Sequence, residues 1–108
     1  MPFDTRYEPV ALMQFDVDTV NWTPWVAPID ANHAVLYNPT INAVKIRSNE
    51  TLATTEETIP PGSQYQMMQF MDPHIVSNEG RFRFNKGSTI LWVQGTVGTQ
   101  TLKGQLIR

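Results

Sequence analysis

The sequence predicts an all-β protein, and two observations carry that prediction. Apolar and polar residues alternate over several short runs, and glycine, proline or asparagine interrupts these runs at intervals of about eight to twelve residues. No stretch shows convincing helical periodicity over a long range. The count of about seven or eight strands fits a small β-sandwich, jelly-roll-like in character, with a small barrel as the alternative architecture.

The composition is that of one globular domain. The chain has 108 residues, of which 41% are hydrophobic and 17% are charged, so it can bury a core and is not expected to be disordered as a whole. It contains no cysteine, and we expect neither a disulfide nor a thiolate metal site. We assign residues 1–8 to an extended N-terminal arm and residues 9–108 to a single domain.

The amino terminus indicates a protein made in a cytoplasm. It has no basic segment followed by an apolar one, so we expect no signal peptide. The longest apolar runs, Val10–Met13 and Ile90–Val93, are too short to cross a membrane, and we expect no membrane partner.

The first quarter of the chain holds isolated aromatic residues. Phe3 and Tyr7 lie in the arm, which has no regular pattern and is either disordered or ordered by docking onto a neighbour. After a first strand at Val10–Phe15, Trp22 and Trp25 flank a proline, which argues against a central strand. The two tryptophans either cover one end of the core or form a stacking platform for a sugar or a base.

The middle of the chain gives the clearest strand patterns. His33–Tyr37 and Ile41–Ser48 are predicted strands, and in the second Val44 and Ile46 face inward while the lysine and arginine that follow them face outward. The Pro-Gly pair at 61–62 predicts a type II turn, because glycine supplies the positive φ.

Methionines mark the next segment, Ser63–Met71, whose alternation is imperfect. Met67, Met68 and Met71 are adaptable side chains that suit either a core or a surface moulded to a partner. A short helix over Gln64–Met71 is the alternative to a strand.

The most apolar run, Ser88–Gly95, is predicted to form a central strand. Strict alternation places Ile90 and Trp92 on one face and Leu91 and Val93 on the other. One face packs on the core, and the other must be covered by this chain or by a partner. We expect Trp92 to be a core residue.

Strands are also expected on either side of this run. Arg81–Phe84 precedes it, and a turn through Gly87 predicts a hairpin between the two. Thr99–Ile107 is the last strand, with a gap at Gly104 in its apolar face.

No arrangement of residues indicates catalysis, a cofactor or a metal. The sequence has no Gly-x-Ser-x-Gly elbow, no phosphate-binding glycine loop and no cysteine nucleophile. His33 and His74 have no acidic residue at ligand spacing. Glu56 and Glu57 are adjacent, and in a strand they would point to opposite faces. We therefore predict a binding or structural module, not an enzyme.

Charge is distributed unevenly. Residues 1–80 hold ten acidic and three basic residues, a balance of −7, whereas residues 81–108 hold five basic and no acidic residues. Such asymmetry occurs in nucleic-acid-binding proteins, and Arg81, Arg83 and Lys86 would provide the contacts of a small nucleic-acid-binding barrel. Because the two arginines alternate with phenylalanines, a strand separates the basic side chains from the aromatic ones, and nucleic acid is not the partner we expect.

Three segments together resemble the capsid decoration, or cement, proteins of tailed bacteriophages: Val44–Ser48, Thr58–Gly62 and Lys86–Val93. They correspond to a strand, a Pro-Gly turn and an apolar strand led by glycine. The resemblance implies a β-sandwich or jelly-roll fold without catalytic residues or cofactors. It also implies a protein that is made in a host cytoplasm and located on the outer capsid surface of a virion. The implied partners are the major capsid protein and further copies of this chain, as a homo-oligomer or as neighbours on the capsid.

A protein that bridges capsid subunits needs apolar anchors on a polar surface. The candidates for this interface are Phe3, Tyr7, Trp22, Trp25, Met67, Met68 and Met71. The rival function is a carbohydrate- or receptor-binding module that uses Trp22 and Trp25 as its stacking platform.

Overall fold

Two four-stranded antiparallel sheets face each other in the computed structural model of the chain, which describes residues 9–68 and 83–107. The strands are β1 (Pro9–Val17), β2 (Thr23–Val26), β3 (His33–Tyr37), β4 (Val44–Arg47), β5 (Glu57–Ile59), β6 (Gln64–Met68), β7 (Thr89–Gly95) and β8 (Gln100–Ile107). The first sheet has the order β1-β8-β3-β6, and the second has the order β2-β7-β4-β5. The predicted arm, residues 1–8, lies outside the described residues.

The strand pairing is that of a jelly roll. β1 pairs with β8, β2 with β7, β3 with β6 and β4 with β5, all antiparallel, so the two halves of the chain run beside each other as one long hairpin. Two further pairings, β3 with β8 and β4 with β7, fold this hairpin into the two sheets. The predicted β-sandwich of jelly-roll type is therefore confirmed.

Alternation of apolar residues decides which face of each strand is buried. In β4, Val44 and Ile46 are buried, and the lysine and arginine after them are half-buried on the other face, as predicted. β8 alternates over its whole length, with Leu102 and Leu106 in the core. The period of two in the sequence thus determines which side chains of β4 and β8 face the core.

Trp25 is the largest fully buried side chain, and it joins the two sheets. From β2 in the second sheet, its ring lies 6.1 Å from that of Phe15 in the first sheet, and its Nε1 donates to the sulfur of Met13 over 3.0 Å. A Cβ atom at residue 104 would lie 2.6 Å from the indole Cζ2, so Gly104 leaves the room that the ring occupies. Trp25 is 1% exposed, and its predicted role as a surface contact is therefore wrong.

A buried polar network closes one end of the sandwich. Asn38 is fully buried, and its Nδ2 donates to the carbonyls of Asn42 and Ile59 over 2.8 and 3.2 Å. The Nε2 of Gln100 donates to the same Asn42 carbonyl over 3.0 Å, and its Oε1 accepts from the amide of Thr96 over 2.7 Å. Because both side chains are satisfied, their burial does not carry the usual penalty of an unpaired amide.

Two predicted glycine turns form, but one predicted hairpin does not. Gly62 has a φ of 71°, and a hydrogen bond of 3.2 Å closes the turn over residues 60–63, as the type II prediction requires. Gly87 likewise has a φ of 88°. Phe84, however, pairs with Ala31 through two backbone hydrogen bonds of 2.9 Å. The predicted hairpin with β7 is wrong, because β7 pairs with β2 and β4 instead.

β7 is a central strand, as predicted, but Trp92 does not lie in the core. The pairing register with β2 shifts at Ile90, which is the extra residue of a β-bulge. Ile90 and Leu91 are consequently both buried, although they are consecutive. Strict alternation, on which the prediction relied, fails at this position, and Trp92 is half-buried on the outer face.

We expect Gly104→Ala to destabilise the domain by about 1–3 kcal/mol, the usual cost of overpacking a core. The new methyl group would overlap the Trp25 ring, and urea unfolding measures the loss. The exposed neighbour Lys103→Ala is the control, with an expected change within about 0.5 kcal/mol.

The contact itself is tested by a double variant. Trp25→Phe removes the atoms that the new methyl group meets, so Gly104→Ala should cost less in that background than in the parent. Equal costs in both backgrounds would contradict the contact.

Candidate functional site

The outer face of the second sheet carries an aromatic and cationic surface. Pro24 in β2, Trp92 in β7 and Arg47 in β4 are direct neighbours across three strands. Trp22 precedes β2 and lies on the same face, since the guanidinium carbon of Arg47 lies 4.3 Å from the centroid of its ring. We call these four residues the tryptophan face.

Three contacts fix the guanidinium of Arg47. Its Nε and Nη2 both donate to Glu56 Oε1, over 3.0 and 2.8 Å, and its Nη1 donates to the carbonyl of Glu50 over 2.8 Å. Its third contact is the indole of Trp22, a cation–π pair worth about 0.5–1 kcal/mol at exposed sites. A group held in this way loses little side-chain entropy when a partner covers it.

The turn that leads into Trp22 is also fixed. Asp18 Oδ1 accepts the backbone N–H groups of Asn21 and Val20 over 2.8 and 2.9 Å. These hydrogen bonds stabilise the carboxylate and hold the pKa of Asp18 below its ordinary value. The side chain of Gln94 in β7 donates to the carbonyl of Val20 over 3.2 Å, which ties the turn to the sheet.

The tryptophan face retains accessible apolar area. Trp22 and Trp92 are half-buried, and Pro24 is exposed. Tryptophan and arginine are the residue types that most often dominate the binding energy of protein interfaces. The geometry therefore suits a flat contact with another macromolecule, in which two rings and one oriented cation are covered together.

The structure separates the residues that the sequence proposed for one interface. Trp22 is at the surface, Trp25 is in the core, and Met67 is half-buried and packs against the core from β6. The remaining candidates lie outside the described residues: Phe3, Tyr7, Met71 and the side chain of Met68.

Trp22 and Trp25 do not form a joint stacking platform. Residues three apart in an extended segment point to opposite faces, and here Trp22 stacks on Arg47 while Trp25 fills the core. The platform that the sequence left open is excluded, and covering the core is the role of Trp25 alone.

Three residues of the tryptophan face, Pro24, Arg47 and Trp92, were not predicted as site residues. Arg47 was expected only to face outward, and Trp92 was expected in the core. The signal that points to Trp92 is the apolar character of both faces of β7, which requires a cover on the outer side as well.

Of the basic residues considered for nucleic acid, the structure describes Arg83 and Lys86. Arg83 is exposed, and its guanidinium carbon lies 5.3 Å from the ring of Phe84, which is itself a core residue. The backbone amide of Lys86 donates to Asp30 Oδ1 over 2.7 Å, which places a carboxylate beside it. Arg81 lies outside the described residues.

Comparison with protein-family models, with curated proteins and with solved structures gave no match to this chain. Within residues 9–68 and 83–107, no helix is long and apolar enough to cross a membrane, and no three histidine, cysteine or acidic residues are grouped to hold a metal. A fold hosts many functions, so the function has to be argued from the surfaces of this chain.

The two tryptophans of neighbouring strands should differ in their effect on stability. Trp25→Ala is expected to cost ~3–5 kcal/mol, as for other buried aromatic residues, whereas Trp92→Ala should cost about 1–2 kcal/mol because only part of its ring is buried. Urea unfolding of both variants checks the order. Equal losses would contradict the outward position of Trp92.

Proposed function

We propose that this protein is a non-enzymatic structural component of a tailed-phage virion. It binds the outside of the assembled capsid and stabilises the shell by bridging subunits of the major capsid protein, beside neighbouring copies of itself. The sequence resemblance to decoration proteins supports the capsid as the partner, and the tryptophan face supports a protein contact.

The observation that carries the proposal is the position of Trp92. It lies on β7, a central strand of the second sheet, with Pro24 and Arg47 as its neighbours across the strands. Solvent-exposed area on an aromatic ring at the middle of a sheet face is unfavourable for a free domain and favourable once a partner covers it. The capsid surface is the proposed cover.

Stabilisation of a shell follows from linkage. A ligand that binds the assembled capsid and not the free subunits shifts the equilibrium toward assembly, by about 2.7 kcal/mol per site when its free concentration is 100 times Kd. Contact with two subunits at once raises the effective concentration at the second contact. Moderate contacts at each subunit are then sufficient.

The arm, residues 1–8, is the second proposed contact. Ordering an arm costs conformational entropy, so its aromatic residues must supply compensating burial. Phe3 and Tyr7 could each contribute about 1.5–3 kcal/mol if fully buried. The arm and the tryptophan face would engage different capsid subunits.

Co-sedimentation with capsids that lack the protein tests the proposal. The parent chain should decorate them, and Trp92→Ser and a deletion of residues 1–8 should each weaken binding about tenfold or more, because each removes apolar burial worth more than 1.4 kcal/mol. Ile41→Ser is the matched control, since Ile41 is 88% exposed in a loop and its loss should leave decoration unchanged.

The co-sedimentation experiment tests each component of the proposal separately. If the parent chain does not co-sediment with capsids, the decoration function is wrong. If it does, unchanged affinity of the truncated chain rules out the arm, and unchanged affinity of Trp92→Ser rules out the tryptophan face. Urea unfolding of every variant establishes that a loss of binding is not a loss of folding.

A further inference from the structure

The outer face of the first sheet carries a separate groove. A cavity of about 660 Å³ lies over β1, β8, β3 and β6, within the usual size range of ligand sites. The pairing places its residues in rows across the strands. We call it the glutamine groove, and its defining residues are Leu12, Gln14, Tyr37, Gln64, Lys103 and Gln105.

The central row of this groove is an array of hydrogen-bonding groups on rigid backbone. Gln14 pairs with Lys103, Lys103 with Tyr37, and Tyr37 with Gln64, so the four side chains follow one another across the whole sheet. Adjacent strands lie about 4.8 Å apart. The row therefore presents polar groups at regular intervals over the width of four strands.

The polar groups of the groove are available to a ligand. Within the described residues, no hydrogen bond engages its glutamine amides, its tyrosine hydroxyl or its lysine amine. The buried amides of Asn38 and Gln100 differ, because each of them makes several hydrogen bonds inside the protein. A carboxamide offers both donors and acceptors, and three of them along one groove have no partner within the described residues.

Apolar area accompanies these groups. Tyr37 is 37% exposed and Leu12 is 74% exposed, so the groove offers part of one aromatic ring and one aliphatic side chain. Lys103 supplies a positive charge, and no carboxylate belongs to the lining. A ligand of complementary chemistry has many hydroxyl groups, an apolar ring face and a negative charge near the middle.

We propose that the glutamine groove binds an acidic oligosaccharide, a chain of pyranose rings with a carboxylate positioned at Lys103. Vicinal hydroxyl groups donate to and accept from the carboxamides, and the Tyr37 ring packs against the apolar face of a sugar ring. A nucleic acid would need several phosphate-binding cations, and the groove has one. An extended peptide would instead pair with a sheet edge.

This inference does not rest on the proposed capsid function. The groove and the tryptophan face lie on the outer surfaces of opposite sheets. The protein can therefore hold a capsid with one face while the other binds a polysaccharide, and each activity can be lost without the other.

Titration of the full-length chain with hexasaccharides tests the proposal. The probes are oligogalacturonate and oligoguluronate, with neutral maltohexaose for comparison, and the readout is NMR shifts of the glutamine side-chain amides. At least one acidic probe should bind saturably with Kd below 1 mM, and maltohexaose should bind at least tenfold more weakly. Tyr37→Ala and Lys103→Gln should each reduce the affinity for the acidic probe about tenfold.

Lys45→Gln is the matched control, because it removes the same charge from the outer face of the opposite sheet. It should leave the titration unchanged. Absence of saturable binding by both acidic probes would overturn the proposal, as would equal affinities of the parent chain and Lys103→Gln. Preferential binding of maltohexaose would overturn the acidic specificity. Unperturbed backbone amide spectra of the variants confirm that they are folded.

Discussion

The contact between Trp25 and Gly104 is the constraint on which the sandwich depends. An indole that belongs to the second sheet occupies space that a side chain of β8 would otherwise fill in the first sheet, and it touches β1 as well. The two sheets can approach there only because residue 104 has no Cβ atom. The same contact determines the outer surface: with Trp25 directed inward, strand alternation directs Pro24 outward, so packing in the core presents one edge of the tryptophan face.

The β-bulge at Ile90 provides the rest of that surface. A regular strand would bury Ile90 and Trp92 together or expose both. The bulge adds Ile90 to the core beside Leu91 and leaves Trp92 on the outer face, next to Arg47. Bulges often redirect a side chain near a functional site. The domain thus gains core volume and an external aromatic ring from one irregularity.

The sequence correctly predicted the structural features that depend on a single strand or turn. The period of two in β4 and β8, the glycine turn at Gly62 and the central position of β7 follow from local patterns, and they lead to the correct fold class. Local patterns could not predict the pairing of Phe84 with Ala31, which replaces the predicted hairpin. Nor could they predict the bulge that places Trp92 on the outer face. Both features depend on contacts between segments that are distant in the sequence. The burial of Trp25 depends likewise on a glycine in the last strand. Among the residues predicted for the interface, Trp22 is the one whose own segment led to its surface position. The residues that orient it, Arg47 and Glu56, come from other strands and loops.

The two outer faces differ in how their polar groups are satisfied, and this difference separates their proposed roles. On the tryptophan face the cation is already bound by Glu56 and stacked on Trp22, so a partner gains apolar burial without having to neutralise a bare charge. On the opposite sheet the amides and Lys103 make no hydrogen bond to other protein groups within the described residues, so a polar ligand replaces water there and breaks no internal hydrogen bond. The core between them is packed around Trp25 and closed by the network of Asn38 and Gln100, which leaves little freedom for one face to change the other. Occupation of the two faces should therefore contribute additive free energies, because coupling between sites requires two arrangements of the structure between them.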